Sequence, residues 1–273
     1  MRLESLAGVA SKSPTPASAH AAPSSGARGL QGTDSALRWR AMAELRIDVW
    51  SDIACPWCYV GKRRLERALQ EFPHEVDVVW HSFELDPSAP KEHDKSLSRA
   101  ERIAKKYGIS TAQAVLNGQR LCDTARGEGL AFDFEHIRSG NTFDAHRLVH
   151  LGRQRGVQDR VKERLLKAYL EEGELMSDHA TLARLAVEAG LDENEATEVL
   201  ASDQYADEVR ADEAQARELG IDGVPCFVLD ERFAVSGAQS PQVLLSALHQ
   251  AWSEREQAPA TFSEGAVCGP EGC

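Results

Sequence analysis

Two adjoining stretches, Arg46-Ile47-Asp48-Val49-Trp50 and Cys55-Pro56-Trp57-Cys58, decide how this chain folds. The first alternates apolar and polar residues, as a half-buried strand does. After Pro56 the period changes. Gly61, Leu65, Ala68 and Phe72 fall at i, i+4, i+7 and i+11, one face of an amphipathic helix that stops before Pro73. Val76 to Phe83, rich in β-branched and aromatic residues, then predicts a second strand parallel to the first.

The cysteines of this turn carry the chemistry. A thiol at a helix N-terminus faces unpaired backbone N–H groups and the positive end of the helix dipole, and both favour thiolate over thiol. Cys55 is therefore the candidate nucleophile. Cys58, three residues on, returns to the same side of the first turn and can attack a mixed disulfide formed on Cys55. Pro56 suits the first helical position, where its missing N–H costs nothing. A CxxC pair is also half of a zinc site, which Cys268 and Cys273 could complete with four thiolates. Zinc knuckles usually sit on flexible turns, whereas this pair opens a helix directly after a strand, so redox chemistry is the favoured reading.

Further along, Cys226 to Leu229 and Arg232 to Val235 flank a polar turn and predict a hairpin. Gln239 to Trp252 reads as a closing helix, with Val243, Leu244, Ala247, Leu248 and Ala251 on its inner side. Gly223-Val224-Pro225 precedes the third strand, and a proline there is a candidate for a cis peptide as well as for an ordinary trans strand opening. From about Asp86 to Gly220 the pattern is almost wholly helical, punctuated by Gly108, Gly118, Gly127, Gly129, Gly140, Gly156, Gly173 and Gly190 in the manner of caps and turns. The expected fold class is α/β: a βαβ half and a ββα half interrupted by a helical insertion. The expected divisions are a disordered leader at 1–44, the N-terminal half at 45–85, the insertion at 86–220, the C-terminal half at 221–253 and a flexible cysteine-bearing tail at 254–273.

Composition bounds the function classes. The 273 residues are 42% hydrophobic and 27% charged, as in ordinary globular proteins. Lys and Arg number 31 against 43 Asp and Glu, a net charge of -12, which argues against nucleic acid or an anionic membrane as partner. Between Val157 and Gly220 there are 17 acidic and 7 basic residues, so most of this charge lies on the helical block as a solvated surface. Six cysteines are too sparse for a stapled secreted scaffold. From Ala7 to Ala36, 23 of 30 residues are Ala, Ser, Gly, Pro or Thr, without the apolar core of a secretory signal. No run approaches the length of a membrane span. The expectation is a soluble cytoplasmic protein.

Three weaker candidates remain. His146 and His150 are four apart on an expected helix, a spacing that can bind metal, but Arg147 stands where a metalloprotease has glutamate, so a structural role capped by Asn141 or Thr142 is favoured. Cys122 is expected to be inert, and Cys226 is either a silent buried residue or a third thiol near the pair. No phosphate-cradling glycine loop is present, so no cofactor is expected and no metal site is assigned.

The strand, the CPxC motif at a helix start and the later Gly-Val-Pro before a ββα unit resemble the thioredoxin fold, and the helical block resembles that of the DsbA family. Residues Arg138 to Leu148 (RSGNTFDAHRL), Phe83-Glu84-Leu85-Asp86-Pro87 and Gly237-Ala238-Gln239 look like signatures of its FrnE-like branch. The resemblance spans about Leu45 to Trp252. It implies a thiol-disulfide oxidoreductase or disulfide isomerase acting on protein or small-molecule thiols and disulfides. Cys55 would be the exposed attacking thiol, Cys58 the resolving one and Pro225 a cis-proline facing them. The Val224 backbone would then hold a substrate chain, with Pro56 and Trp57 supporting the pair. The same superfamily includes glutathione-dependent 2-hydroxychromene-2-carboxylate isomerases, in which a serine commonly matches Cys55. The tail Val267 to Cys273 also looks like the C-terminus of some FrnE-like proteins. Its C-x4-C spacing permits a disulfide that stabilises little, so a second dithiol shuttling electrons to Cys55 and Cys58 is the functional reading.

Overall fold

The computed structural model describes residues 45–92 and 96–257. Four strands form one sheet in the order β2-β1-β3-β4: β1 (Leu45–Ser51), β2 (Val76–Ser82), β3 (Cys226–Leu229) and β4 (Phe233–Ser236). The strands β1 and β2 are parallel, pairing Val49 with Trp80, while β3 runs antiparallel to both β1 and β4. Helix α1 (Pro56–Glu71) joins β1 to β2, and α9 (Pro241–Gln257) closes the chain. Between β2 and β3 lie α2 (Arg99–Tyr107), α3 (Thr111–Gly127), α4 (Phe143–Gln154), α5 (Gln158–Leu170), α6 (His179–Glu188), α7 (Glu193–Ala201) and α8 (Ala206–Glu218). This is the thioredoxin-like α/β arrangement with intervening helices that the sequence leads one to expect.

The strand β1 is central, so it differs from the half-buried strand predicted for it. Leu45, Ile47 and Val49 pack into the large core with Tyr59, Val60, Leu65 and Ala68 of α1 and Leu244, Ala247, Leu248 and Ala251 of α9. Trp50 on the other face meets Ala216 of α8 together with Cys226 and Val228. Even Asp48 is covered there, because helices lie on both sides. The predicted face of α1 is confirmed, since Gly61, Leu65, Ala68 and Phe72 are all buried. Val243 of the closing helix is exposed rather than inward, and that helix continues past Trp252 to Gln257. In the hairpin, β4 begins one residue late because Asp230 and Glu231 take left-handed backbone to reverse the chain. Among the punctuating glycines, Gly118 lies inside α3.

The helical block is fastened to the sheet edge by side chains. Gln158 at the start of α5 accepts from the Trp80 amide at 3.1 Å and donates to the Trp80 carbonyl at 2.8 Å, occupying ladder groups that β2 would otherwise leave open. On the same helix, Glu163 accepts from the Tyr59 hydroxyl at 2.6 Å. The buried Lys62 ammonium meets Glu66 at 2.5 Å, Asp159 at 3.1 Å and Glu163 at 3.0 Å. These bonds fix the rotation of α5 against α1.

Candidate active site

Cys55 is the N-cap of α1 and Pro56 its first residue, so the dithiol sits at a helix start directly beyond β1. Both cysteines are free thiols, Cys55 4% and Cys58 1% exposed, while Trp57 is half-buried against the core. The Val224-Pro225 peptide is cis, and it brings the Val224 carbonyl oxygen to 3.6 Å from Cys55 Sγ. This loop covers the Cys55 sulfur, which is therefore less exposed than the resemblance implies. Gly61 lets the loop approach: a Cβ there would stand 2.9 Å from Pro225 Cγ and 3.2 Å from Phe227 Cζ. The sequence-expected residues Cys55, Pro56, Trp57, Cys58, Val224 and Pro225 thus converge around one turn. Cys268 and Cys273 lie outside the described residues.

Behind the pair is a polar cluster that the sequence reading missed. Asp52, one residue past β1, is buried and accepts from the amides of Ala54 at 3.2 Å and Leu85 at 2.8 Å, from Thr142 Oγ1 at 3.0 Å and from His146 Nε2 at 3.3 Å. Burial pushes its carboxyl up, but these donors outweigh burial and hold it below the usual carboxylate range. Burial also pushes the His146 imidazole down, against the raising effect of its contact with Asp52. The cap of α4 divides between two residues: Asn141 Oδ1 accepts from the Phe143 amide at 2.9 Å, which frees the Thr142 hydroxyl for Asp52. Beside Asp52 lies Lys162 of α5, fully buried, whose Nζ donates to the Ser51 carbonyl at 3.1 Å.

These groups act on the two thiols. Hydrogen bonding to Cys58 pushes the Cys55 thiol well up, reinforced by burial and by negative charge on Cys58 and Asp52. Burial pushes Cys58 up too. There the hydrogen bond from Cys55, the Lys162 ammonium, the Ser51 side chain and the Asp52 backbone prevail, so that thiol is held down. The two thiols titrate as one coupled pair rather than as separate groups.

The other sequence candidates fall away from this site. His146 and His150 do not share a metal: His150 Nε2 lies 3.0 Å from Asp212 and 3.1 Å from Ser82 Oγ. Among the described residues no group of three His, Cys, Asp or Glu side chains could hold a metal ion. Cys226 follows Pro225 but points to the opposite face of the sheet, toward Trp50, and burial pushes its thiol up to about 11. Cys122 is half-buried, its thiol pushed up by burial, with its sulfur 3.9 Å from the Phe132 carbonyl. Flanking the Val224 loop is a cleft of about 460 Å³ whose lining includes Phe83, Glu84, Pro87, Glu213 and Ile221.

None of the helices among the described residues is long and apolar enough to cross a membrane. The chain is similar to a probable DsbA oxidoreductase from Streptomyces coelicolor, with 45% identity, coverage of 84% of this chain and 98% of that one, and a TM-score of 0.76. A 2-hydroxychromene-2-carboxylate isomerase shares the fold at 18% identity, with coverage of 79% and 100% and a TM-score of 0.58. So does the cytosolic disulfide reductase DsbM from Pseudomonas aeruginosa, at 16% identity, with coverage of 77% and 100% and a TM-score of 0.52. With the dithiol at a helix start and the cis-proline loop in place, a model of the DsbA-like thioredoxin domain matches residues 46–249, about three-quarters of the chain, and establishes that the chain belongs to the DsbA-like thioredoxin domain family.

Proposed function

We propose that the protein is a thiol-disulfide oxidoreductase that exchanges disulfides through Cys55 and Cys58. The observation that carries this reading is the pair of free thiols at the start of α1 with Cys55 Sγ against the Val224 carbonyl. The Val224 amide has no hydrogen-bond partner among the described residues, so a substrate chain can pair with it as an added strand. The adjoining cleft accepts the side chains beside the substrate sulfur.

In the reducing direction, Cys55 gives up its proton and attacks a substrate sulfur as thiolate. The substrate disulfide breaks, one half leaves with the electron pair and takes up a proton, and Cys58 in turn gives up its own proton. Cys58 then attacks Cys55 Sγ, forming the enzyme disulfide and expelling the second half as thiolate. Two electrons pass to substrate and the enzyme is oxidised. The reverse sequence oxidises a substrate dithiol. A cytoplasmic setting accords with this cycle, because reducing conditions keep both thiols available.

Insulin reduction with dithiothreitol tests the assignment, with Cys55→Ser as comparison. The native chain is expected to accelerate precipitation of insulin and the variant to match the uncatalysed rate. Equal rates remove the redox reading, and glutathione-dependent isomerase activity surviving in Cys55→Ser transfers the assignment to the isomerase class. Stoichiometric zinc in the purified protein, lost on chelation together with the fold, supports a zinc module instead. We propose in addition that Cys268 and Cys273 form a second dithiol that exchanges with the first. Unchanged turnover in the variant carrying Cys268→Ser and Cys273→Ser removes that step.

A further inference from the structure

Arg99 opens α2 directly after the cap Ser98, and its guanidinium carbon lies 3.7 Å from the centroid of the Phe134 ring. The helix α3 meets this stack at Gly118, where a Cβ would stand 3.6 Å from Arg99 Nη1 and 3.7 Å from Phe134 Cδ2. A guanidinium carries five N–H donors and keeps its charge, so a half-buried one ordinarily finds acceptors. Arg147 does: it donates to Asp144 at 2.7 Å and to the carbonyls of Gln204, Val199 and Ser202. Arg99 donates no hydrogen bond and pairs with no carboxylate among the described residues. The groups that act on its charge are Tyr169, Cys122, Arg102 and Tyr107, and none is a carboxylate.

A second donor without an acceptor faces the same place. Tyr169 of α5 is 6% exposed, and its hydroxyl has no hydrogen bond among the described residues. Burial pushes that hydroxyl up to about 12, while charge on Arg99 and Arg102 draws it down. Tyr169 also feels the charge of Asp52, whose carbonyl accepts from the Cys55 amide at 3.3 Å, so this donor pair lies on the dithiol side of the helical block. A row of rings runs the same way. Phe134 stands 5.6 Å from Phe132, and Phe132 stands 6.1 Å from Tyr59, the residue after Cys58. An extended peptide advances about 3.3 to 3.6 Å per residue, so a few residues cover such a row.

We propose that Arg99 and Tyr169 form a carboxylate subsite, so that the enzyme favours disulfide peptides carrying an acidic residue a few positions from the cysteine. The inference rests on the dithiol assignment above and deepens it by naming the substrate class. A carboxylate has the planar pair of acceptors that a guanidinium fork matches, and its remaining lone pairs can accept from the hydroxyl. The Phe134 ring behind Arg99 holds the fork in place and keeps water from one face. Only local donors can produce such a preference, because the net charge of -12 repels acidic peptides from the chain as a whole.

The test uses disulfides of terminally blocked peptides that carry one Glu, or Gln in its place, one to four residues from the cysteine. At the best-placed position the native chain is expected to favour Glu over Gln about tenfold in kcat/KM, through KM rather than kcat. Arg99→Met is expected to bring the ratio to one or below. Tyr169→Phe, which keeps the ring, is expected to lower it on the order of threefold. A merely structural Arg99 would slow both peptides alike and leave the ratio unchanged. Equal rates on the Glu and Gln peptides at every position overturn the proposal, as does a preference that survives Arg99→Met. Side-chain NMR of the native chain needs no variant to fold: the Arg99 Nε–H signal is expected to shift with the Glu peptide and not with the Gln peptide. Insulin reduction separates the two readings. An active chain with equal peptide rates and an unresponsive Arg99 loses the subsite alone. An inactive chain whose Arg99 responds to the Glu peptide loses the enzyme assignment and keeps the carboxylate site.

Discussion

Cys55 Sγ lies 3.6 Å from the carbonyl oxygen of Val224, although the two residues are 169 positions apart in the chain. The carbonyl belongs to the residue before cis-Pro225, so under the proposed function the sulfur that meets a substrate is bordered by backbone that can pair with it. Cys58 lies deeper, at 1% exposure against 4% for Cys55. Under the proposed function, the less deeply buried Cys55 is the thiol that a substrate sulfur reaches first.

The order predicts unequal behaviour of the two serine variants. Cys58→Ser is expected to accumulate a mixed disulfide on Cys55, since attack proceeds and resolution does not, whereas Cys55→Ser accumulates none. Both lose turnover, on the order of a thousandfold. Non-reducing electrophoresis and intact mass after incubation with a disulfide substrate read the adduct. Equal trapping by both variants contradicts the assignment of roles.

Gly61 is the point where α1 touches the loop from below. A methyl group there would sit 2.9 Å from Pro225 Cγ and 3.2 Å from Phe227 Cζ, and neither ring can turn aside freely. Gly61→Ala is expected to cost about 1 to 3 kcal/mol of stability despite the better helix propensity of alanine, as overpacking does. Turnover should fall with it, because the displaced loop carries Val224. Chemical denaturation and insulin reduction measure the two effects, and a stabilised variant of full activity refutes the close-contact argument.

Cys226 faces away from the dithiol. Cys226→Ala is expected to leave turnover unchanged, while Cys226→Ser loses about 1 to 3 kcal/mol by placing a hydroxyl among Trp50, Ala216 and Val228. Alkylation of Cys226 in the folded protein should be slow below its thiol pKa of about 11. Peptide mapping after a timed iodoacetamide pulse checks the reactivity, and labelling of Cys226 as fast as Cys55 contradicts the packing.

Behind Trp50, His81 bridges two carboxylates, with Nε2 2.7 Å from Asp48 and Nδ1 2.7 Å from Asp212, and stacks on Trp50 at 4.5 Å. Burial lowers the pKa of His81, but the two carboxylates outweigh it and raise it above the ordinary value. Its folded value exceeds the unfolded one, so its contribution is complete below about pH 6.5 and declines as pH rises through the raised value. Asp48 and Asp212 are held below the usual carboxylate range, so their contribution is lost only at the acid end. Relative to His81→Gln, the native chain is expected to be more stable by about 3 kcal/mol at pH 5 to 6, with the difference shrinking above neutrality. Denaturant unfolding across pH measures this, and a difference that grows with pH contradicts it.

Much of the architecture is legible in local pattern, and the limits of that reading have physical causes. The change of period after Pro56 marks β1 and α1, and glycines such as Gly108, Gly156 and Gly190 mark helix ends because few other residues adopt left-handed backbone. The one-residue shift in β4 and the outward turn of Val243 are boundary and facing details that depend on neighbours in space. Asp52 and Lys162 went unread for a related reason. Lys162 shares the stripe of Leu166 and Tyr169 at i, i+4 and i+7, so a lysine interrupting an apolar face was the available signal, yet such a residue usually snorkels to solvent.

The sequence by itself determined the dithiol at a helix start, the proline before β3 and the βαβ and ββα halves, since each depends on residues within a few positions of one another. Only the tertiary structure decided what surrounds the two thiols. Burial, Asp52 and a lysine more than a hundred residues from Cys58 act on the pair together, and electrostatic energy in a protein interior follows distance in space and removal of water rather than order along the chain.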